Sequence, residues 1–235
     1  MNTVLFDLDG TLLQMEMDRF MQLYMTSLTK AFQPHMNPEL FQSLLWKGTK
    51  KMLENPGKTI TNEKVFYEAF FEEYADRQEL IDVFDHFYET AFEKTQQATS
   101  SDEYMIQAVK LLGEKGYRLA VATNPLFPLK AVERRIQWAG LSPQQFELIT
   151  SFETMHSCKP NIAFYREVIE ALGVDPWDAL MVGNDAYEDV IAGRLGIHTY
   201  LVTNCLIQKD QTACEPDYRG SSFDFLQFTE RLPFL

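Results

Sequence analysis

The feature that most constrains the fold is an alternation of short apolar runs with helical patterns. Runs of strand length occur at Thr3–Phe6, Arg118–Thr123, Phe146–Thr150, Ala179–Val182 and His198–Val202. Helical patterns such as EYMIQAVKLLGEKG and IAFYREVIEALG separate the later four runs, and Gly116 and Gly173 stand where those helices should end. Strands that alternate with helices are typical of a parallel sheet covered on both faces. The chain is therefore predicted to form a three-layer α/β/α fold.

A long helical region interrupts this pattern after the first strand. The first and second apolar runs lie much further apart than a single crossover requires. From about Leu13 to Ser100 the chain shows successive helical patterns, among them MDRFMQLYMTSLTKAF, NEKVFYEAFFEEYA and QELIDVFDHFYETAFEKT. We therefore expect a Rossmann-like core of residues 1–13 and 101–235, with an all-helical domain of residues 14–100 inserted in it. Most aromatic side chains of the insertion should pack its interior, with one or two facing the sheet.

Composition excludes several classes of protein. The 235 residues carry a formal net charge of -13, which argues against binding to nucleic acid or to an anionic membrane surface. No apolar run approaches the roughly 20 residues of a membrane span. The first strand begins close to Met1, which leaves no room for a signal peptide. Three cysteines without close spacing indicate reduced, buried thiols. We expect a cytoplasmic protein, monomeric or weakly dimeric.

Polar residues follow four of the predicted strands where each strand ends. Ligands of an open parallel sheet bind at the carboxyl ends of its strands. Side chains from four separate strand ends should therefore meet at one edge: Asp7, Asp9, Thr123, Asn124, Lys159, Asp185 and Asp189. Asp7 and Asp9 point the same way if the first strand stays extended, because alternate residues of a strand share a face. Such paired carboxylates repel each other unless positive charge offsets them.

Each of these residues also has a simpler interpretation. Asp-Gly is a common turn signal, so Asp9 could merely belong to a turn. Thr123 or Asn124 could cap a helix that begins near Pro125 or Pro128. Lys159 could be a solvated loop lysine, and Asp185 could be a helix N-cap. Taken together, in this order and at these strand ends, the simpler interpretations require four coincidences.

In these residues the chain resembles the haloacid dehalogenase-like superfamily of phosphotransferases. The segment DLDGT matches the first motif of that family, Thr123 the second, Lys159 in CKP the third and GNDAYED the fourth. Many relatives place an acidic residue directly after the glycine of the fourth motif, whereas Asn184 intervenes here. The choice between Asn184 and Asp185 as the direct metal ligand therefore stays open. The helical insertion occupies the position of the family's mobile cap domain.

The resemblance implies a phosphatase that acts on a small phosphate monoester. Asp7 would attack phosphorus and form an aspartyl-phosphate, and Asp9 would serve as the general acid and then the general base. Thr123, Asn124 and Lys159 would bind the phosphoryl oxygens. The substrate would be a small phosphorylated metabolite.

The resemblance also implies a magnesium cofactor. Asp7 and Asp185 would supply carboxylate oxygens and Asp9 its backbone carbonyl, which is the oxygen-rich set that Mg²⁺ prefers. Lys159 would balance charge beside Asp7, and Asp189 would orient Lys159 or a metal-bound water.

Other functions compete with this one. A sugar phosphomutase would keep the same core residues, whereas a dehalogenase is disfavoured because Asp9 is present. Outside enzymes, the alternatives are a receiver-like phosphoacceptor module and a non-catalytic binding protein. Receivers are about half this length and carry no large helical insertion. Four basic residues of the insertion either belong to a solvated helix face or contact substrate: Arg19, Lys47, Lys50 and Lys51.

Overall fold

The computed structural model describes residues 1–57, 59–72, 77–208 and 214–235. Their centre is a parallel sheet with the strand order β5-β4-β1-β6-β7-β8. The strands are β1 (Thr3–Phe6), β4 (Arg118–Val121), β5 (Leu148–Ile149), β6 (Ala179–Gly183), β7 (His198–Val202) and β8 (Tyr218–Gly220). The strand β1 lies between β4 and β6 and is completely buried. The predicted alternation of strands and helices is confirmed.

Three strands have bounds that differ from the predicted ones, and β6 differs only in that it extends by one residue, to Gly183. The strand β4 ends at Val121, although the Ala122 N–H still donates to the Phe6 carbonyl at 2.7 Å. The strand β5 comprises only Leu148–Ile149 of the predicted Phe146–Thr150, and Phe146 instead closes the preceding 3₁₀ turn with its N–H bond to the Pro143 carbonyl. The strand β8 was not predicted, since its residues are not an apolar run and two of them are exposed.

Helices cover both faces of the sheet. They are α5 (Glu103–Glu114), α6 (Leu129–Trp138), α7 (Ile162–Leu172) and α8 (Ser222–Arg231). Along β1, Val4 and Phe6 belong to one apolar cluster and Leu5 to another. Such alternation is expected when both faces of a strand are buried. Gly116 and Gly173 have positive φ angles just after α5 and α7, as predicted for glycines that end helices. The molecule is therefore a three-layer α/β/α structure.

Along the chain, a group of helices lies between β1 and β4, which are neighbours in the sheet. It contains α1 (Met17–Phe32), α2 (Pro38–Leu53), α3 (Asn62–Phe70), α4 (Arg77–Glu89) and a 3₁₀ segment, Ala91–Ala98. The chain enters through β2 (Leu13–Met15) and leaves through β3 (Thr99–Ser101), and these two strands pair antiparallel. We call residues 17–98 the helical insertion. Among the described residues, no helix is both long and apolar enough to cross a bilayer.

Two helices of the insertion are shorter than their sequence patterns. The pattern that begins at Asn62 continues to Ala75, and its last three residues, 73–75, lie outside the described residues. The helix α4 ends at Glu89, whereas the pattern predicts helix up to Thr95. The Thr90 hydroxyl donates to the His86 carbonyl at 2.6 Å, and the chain continues as the 3₁₀ segment. A hydroxyl that bonds back to a carbonyl of the preceding turn competes with regular helix.

The helical insertion shares one continuous apolar cluster with the sheet. Within the insertion, the rings of Phe32 and Phe41 stack with centroids 4.5 Å apart. Across the boundary, the ring of Tyr24 lies 5.4 Å from that of Phe127, and Phe92 lies 5.3 Å from Trp138. The aromatic residues therefore fill the insertion and also attach it to the sheet.

Candidate active site

A cavity of ≈ 230 Å³ lies at the carboxyl ends of β1, β4 and β6. Seven residues predicted from the strand ends line it: Asp7, Asp9, Thr123, Asn124, Lys159, Asp185 and Asp189. Asn184 and Glu188 line it as well. The parallel sheet brings these residues together because the carboxyl ends of its strands share one edge.

The amine of Lys159 is at the centre of the charged residues. It donates to Asp7 Oδ1 at 2.9 Å and to Asp189 Oδ1 at 2.6 Å, and only 1% of its side chain is exposed. Burial alone would lower the pKa of Lys159, but the carboxylates of Asp189 and Asp7 outweigh this effect and raise the pKa well above its ordinary value. Lys159 is therefore a buried ammonium group, and its interpretation as a solvated loop lysine is wrong.

The carboxyl group of Asp7 is short of positive charge. Burial raises its pKa from 3.8 to about 7, and the carboxylates of Asp189 and Asp9 add to this effect while Lys159 opposes it. A nucleophilic carboxylate has to be ionised, and a further cation beside Asp7 would favour that form.

In the loop after β6, backbone N–H groups donate to the carboxylates of two aspartates of the same loop. Asp189 Oδ2 accepts from the Asp185 N–H at 2.9 Å, so Asp189 links Lys159 to this loop. Asp185 Oδ1 accepts from the N–H groups of Tyr187 and Glu188, both at 2.8 Å. Residues 186–189 form a turn and not a helix, so the interpretation of Asp185 as a helix N-cap is wrong, although one of its oxygens does accept from the backbone of that turn. Gly183 is required here, because a Cβ atom would lie 2.2 Å from the Asp189 carboxyl group.

The side chain of Asn184 supports the loop after β1. Its Oδ1 accepts from the Thr11 hydroxyl at 3.0 Å, and its Nδ2 donates to the Cys205 carbonyl at 2.7 Å. Gly10 packs against it with a φ of 83°, and a Cβ atom there would lie 2.3 Å from Asn184 Nδ2. Both polar ends of Asn184 are therefore engaged within the protein. Asp185 is the better candidate for a metal ligand.

Oxygen atoms suited to a divalent metal remain around the cavity. Within the described part of the chain, Asp7 Oδ2 and Asp185 Oδ2 have no hydrogen-bonding partner, and no backbone N–H donates to the Asp9 carbonyl. No three His, Cys, Asp or Glu side chains of that part stand close enough to enclose a metal by themselves. Mg²⁺ commonly keeps several waters and takes only one or two carboxylates from the protein. The donor set, together with the charge deficit at Asp7, fits such a partly hydrated ion.

The carboxylate of Asp9 pairs with Arg135, a residue that the sequence analysis missed. Arg135 Nη1 donates to Asp9 Oδ2, its Nε donates to the Ala131 carbonyl at 3.2 Å, and its guanidinium lies 4.4 Å from the centre of the Phe127 ring. Only 1% of the Arg135 side chain is exposed. The available signal was its position on α6, where it shares the buried face with Ala131, Val132 and Ile136. An arginine on an apolar helix face needs a buried partner.

Thr123 and Asn124 do not cap the following helix. The helix α6 begins after Pro128, and the Leu129 N–H donates to both oxygens of Glu153, at 2.9 and 3.0 Å. Asn124 Nδ2 donates to Glu188 Oε2 at 3.1 Å, whereas Asn124 Oδ1 is buried without a partner. The capping interpretation is therefore wrong, and both residues border the cavity.

The remainder of the cavity wall is apolar. It consists of Met17, Phe20 and Met21 from α1, with Leu126, Phe127 and Ile207 from the sheet side. Lys159 is the only Lys or Arg among the described residues that line the cavity. The four basic residues singled out from the sequence are surface residues that pair with glutamates outside it: Arg19, Lys47, Lys50 and Lys51. They form a solvated face.

The three cysteines differ in burial. All are free thiols, but only Cys158 is buried, whereas Cys205 and Cys214 are partly exposed. Burial raises the pKa of Cys158 to about 12. The expectation of buried thiols is thus correct for one residue of the three.

Comparison with known proteins identifies the family. Residues 4–202 match the family model described as haloacid dehalogenase-like hydrolase. The chain is 24% identical over 229 residues to the pyrophosphatase PpaX of Halalkalibacterium halodurans, covering 92% of this chain and 91% of that protein. It is 30% identical over 203 residues to a phosphoglycolate phosphatase of Aquifex aeolicus, covering 86% and 84%.

Solved structures show the same fold. A HAD phosphatase from Thermococcus onnurineus superposes with a TM-score of 0.61 at 20% identity, over 100% of both chains. The L-2-haloacid dehalogenase RSc1362 gives 0.63 at 19% identity, over 98% of this chain and 99% of that one. The chain is thus a member of the haloacid dehalogenase-like hydrolases, and within that family it is an enzyme of the phosphatase type.

Proposed function

We propose that the protein is a Mg²⁺-dependent phosphatase that hydrolyses a small phosphate monoester through an aspartyl-phosphate. The observation that carries this proposal is the buried ammonium of Lys159 between Asp7 and Asp189, with the carboxylate of Asp9 lining the same cavity. This arrangement offers a nucleophile, a cation for phosphoryl oxygens and a second carboxyl group for proton transfer.

In the first step, a carboxylate oxygen of Asp7 attacks phosphorus, and the bond from phosphorus to the leaving oxygen breaks. Asp9 gives its proton to that oxygen, so the alcohol leaves neutral. In the second step, Asp9 takes a proton from water, which attacks the phosphorus of the aspartyl-phosphate. The bond to Asp7 breaks, and inorganic phosphate is released.

The remaining residues hold and neutralise the phosphoryl group. Lys159 would donate to a phosphoryl oxygen, and Thr123 and Asn124 border the space that this group would occupy. Asp189 keeps the Lys159 amine in place. Asp7, Asp185 and the Asp9 carbonyl would hold Mg²⁺, which would neutralise the phosphoryl charge and favour the ionised form of Asp7.

The cavity wall supports a monoester with an uncharged leaving group. The pyrophosphatase relative is named for a substrate with two phosphates, and the phosphatase of Aquifex aeolicus for one that carries a carboxylate. Apart from Lys159, the described wall offers methionine, leucine, isoleucine and phenylalanine side chains and no second cation. Leaving an anion without a partner against such a wall is costly. No observation favours a phosphomutase, a receiver-like module or a non-catalytic protein.

We also propose that the chain consists of a catalytic core and an inserted helical cap. We assign residues 1–13 and 101–235 to the catalytic core and residues 14–100 to a helical cap that closes over the substrate. The net charge of -13 supports a small metabolite as the partner and disfavours nucleic acid. The three free thiols are consistent with a cytoplasmic protein, and we expect a monomer or weak dimer.

The test is turnover of p-nitrophenyl phosphate with Mg²⁺ and with a chelator. Asp7→Asn should abolish turnover, because the amide cannot attack phosphorus. Asp9→Asn should lose most turnover, by roughly 10²–10⁴-fold, while the protein still binds a phosphate analogue such as vanadate. Mass spectrometry of Asp7→Asn checks for deamidation back to aspartate. Normal turnover by an undeamidated Asp7→Asn protein would show that Asp7 is not the nucleophile.

A further inference from the structure

The ion pair between Arg135 and Asp9 has no role in the mechanism given above. Arg135 is among the largest fully buried side chains among the described residues, and its Nη2 atom is buried without a partner. Taking a guanidinium out of water is costly even when it is paired. Apolar residues of similar volume often replace such a pair without loss of stability. Stability alone therefore does not explain why an arginine occupies this position.

The guanidinium of Arg135 is held from three sides. Its Nε donates to the Ala131 carbonyl one turn earlier on α6, its central carbon Cζ lies over the Phe127 ring, and its Nη1 donates to Asp9. The start of α6 is itself fixed by Glu153, which accepts from the Leu129 N–H. Arg135 is thus a rigid donor that projects from the sheet domain towards the loop after β1.

The side chain of Asp9 depends on Arg135 for its position. Its backbone lies in a loop fixed by neighbours, since Leu8 is fully buried and the Thr11 hydroxyl donates to Asn184. Among the described residues, Arg135 is the single hydrogen-bonding partner of the Asp9 carboxyl group. That bond engages Oδ2, whereas Oδ1 is buried without a partner and belongs to a residue that lines the cavity.

We propose that Arg135 is the positioning residue for proton transfer. It fixes the carboxyl group of Asp9 at the edge of the cavity, where that group meets the leaving oxygen of the substrate. This inference rests on the proposed phosphatase function and adds to it a residue on α6, which carries none of the family motifs identified from the sequence. Arg135 acts through Asp9 and does not touch the phosphoryl group.

Leaving groups of different acidity separate this role from a structural one. p-Nitrophenolate leaves readily without a proton, whereas an alkyl alcohol such as that of ethyl phosphate needs one. Arg135→Met should therefore lower kcat/KM at least about 10-fold more for ethyl phosphate than for p-nitrophenyl phosphate. The ratio kcat/KM reports only the steps up to loss of the leaving group, so the later proton transfer from water, which is the same for both esters, does not enter it. Arg135→Lys should restore part of the loss. The control is Arg134→Met, because Arg134 lies on the same helix but is exposed and pairs with Glu93; this variant should behave as wild type.

A double-mutant cycle tests whether Arg135 acts through Asp9. In an Asp9→Asn background, Arg135→Met should cause no further loss on ethyl phosphate, because the group that it positions is already gone. If Arg135→Met does not fold alone, the double variant, which removes both charges, is compared with Asp9→Asn instead. Equal losses on both esters, or additive losses in the cycle, overturn this inference alone. Wild-type protein that hydrolyses neither ester overturns the proposed function and this inference with it.

Discussion

At the scale of single residues, the site combines several carboxylates with one buried amine. Asp7 and Asp189 share the ammonium of Lys159, and the carboxyl group of Asp7 is left with a pKa of about 7 because burial outweighs that attraction. A raised pKa in the folded state is also a statement about stability, since the folded protein then holds this proton more tightly than the unfolded chain does.

The first prediction concerns pH and the metal-free protein. The proton on Asp7 contributes stability that is complete below its unfolded pKa of 3.8 and is lost as the pH rises through about 7. Relative to Asp7→Asn, wild type should lose up to about 1.4 kcal/mol of unfolding free energy per pH unit across this window. Urea denaturation of both proteins with a chelator, at several pH values, measures the difference. A difference that does not change with pH would contradict the assignment of the raised pKa to Asp7.

The carboxylates of the candidate site could be predicted from the sequence, whereas the arginine could not. Asp7 and Asp9 directly follow an apolar strand, which is a local pattern. Lys159 became a candidate only because polar residues also follow the other strands at the same edge of the sheet. Arg135 pairs with a residue that precedes it by 126 positions. Such a contact depends on how α6 packs against the loop after β1, and no local pattern encodes it. Asn184 was located, but its contacts with Thr11 and Cys205 needed the folded chain.

At the scale of elements, the helical insertion is attached to the sheet domain in more than one place. Besides the paired strands β2 and β3, the first residues of α3 bond to the loop that precedes Lys159. The N–H groups of Asn62 and Glu63 donate to the carbonyls of Met155 and Phe152, both at 2.8 Å. Movement of the insertion as a cap stays a prediction, and it would have to break these bonds or carry the loop along.

The second prediction concerns Asn62, which is fully buried at this junction. Its Nδ2 lies 3.4 Å from the carbonyls of Pro125 and Ser157 and 3.3 Å from Cys158 Sγ, and its Oδ1 accepts from Asn55 at 2.9 Å. Asn62→Ala leaves several buried polar groups unpaired and should lower the unfolding free energy by about 1–3 kcal/mol.

Denaturant unfolding measures this loss. The matched control is Gln42→Ala, which removes an amide from an exposed position of α2 and should stay within about 0.5 kcal/mol of wild type. Equal stability of Asn62→Ala and the control would show that the junction does not hold the insertion in place.

Helices and strands could be predicted from the sequence where a single apolar pattern runs through the whole element. The helix α1 begins and ends at the residues expected from its apolar spacing, and β1, β6 and β7 follow from their apolar runs. The strand β8 was missed because a short, exposed edge strand needs no apolar run. It is specified by its pairing with β7, which is a tertiary contact.

At the scale of the whole molecule, negative charge is concentrated where the strands end. The formal net charge is -13, and five acidic residues line the cavity: Asp7, Asp9, Asp185, Glu188 and Asp189. At about 4 Å and an effective dielectric constant near 20, two like charges repel by roughly 4 kcal/mol before relaxation. A divalent cation at this place would replace much of that repulsion with attraction.

The third prediction follows from this charge distribution. Mg²⁺ at millimolar concentration should raise the melting temperature of wild type, because it binds the folded state preferentially. Asp185→Asn should abolish most of this increase. Asparagine is preferred to alanine here, because its oxygen can still accept the two N–H groups that bond to Asp185 Oδ1. The control is Glu170→Gln, which removes one exposed charge from α7 and should respond to Mg²⁺ as wild type does. Two results would contradict the idea that Mg²⁺ relieves repulsion between these carboxylates: no increase in the melting temperature of wild type, or an equal increase for Asp185→Asn. Either result would count even if the protein is a phosphatase.

The central position of β1 has a consequence for how the chain is made. The residue Thr3 is synthesised well before its neighbours in the sheet, which are Arg118 on one side and Ala179 on the other. At roughly 5–20 residues per second, a ribosome needs on the order of ten seconds to deliver both of them. During that time the most buried strand of the finished protein has no sheet to join. The helical insertion and the sheet share one apolar cluster. The helices that are synthesised in this interval therefore offer an apolar surface that the strand can contact before the sheet forms.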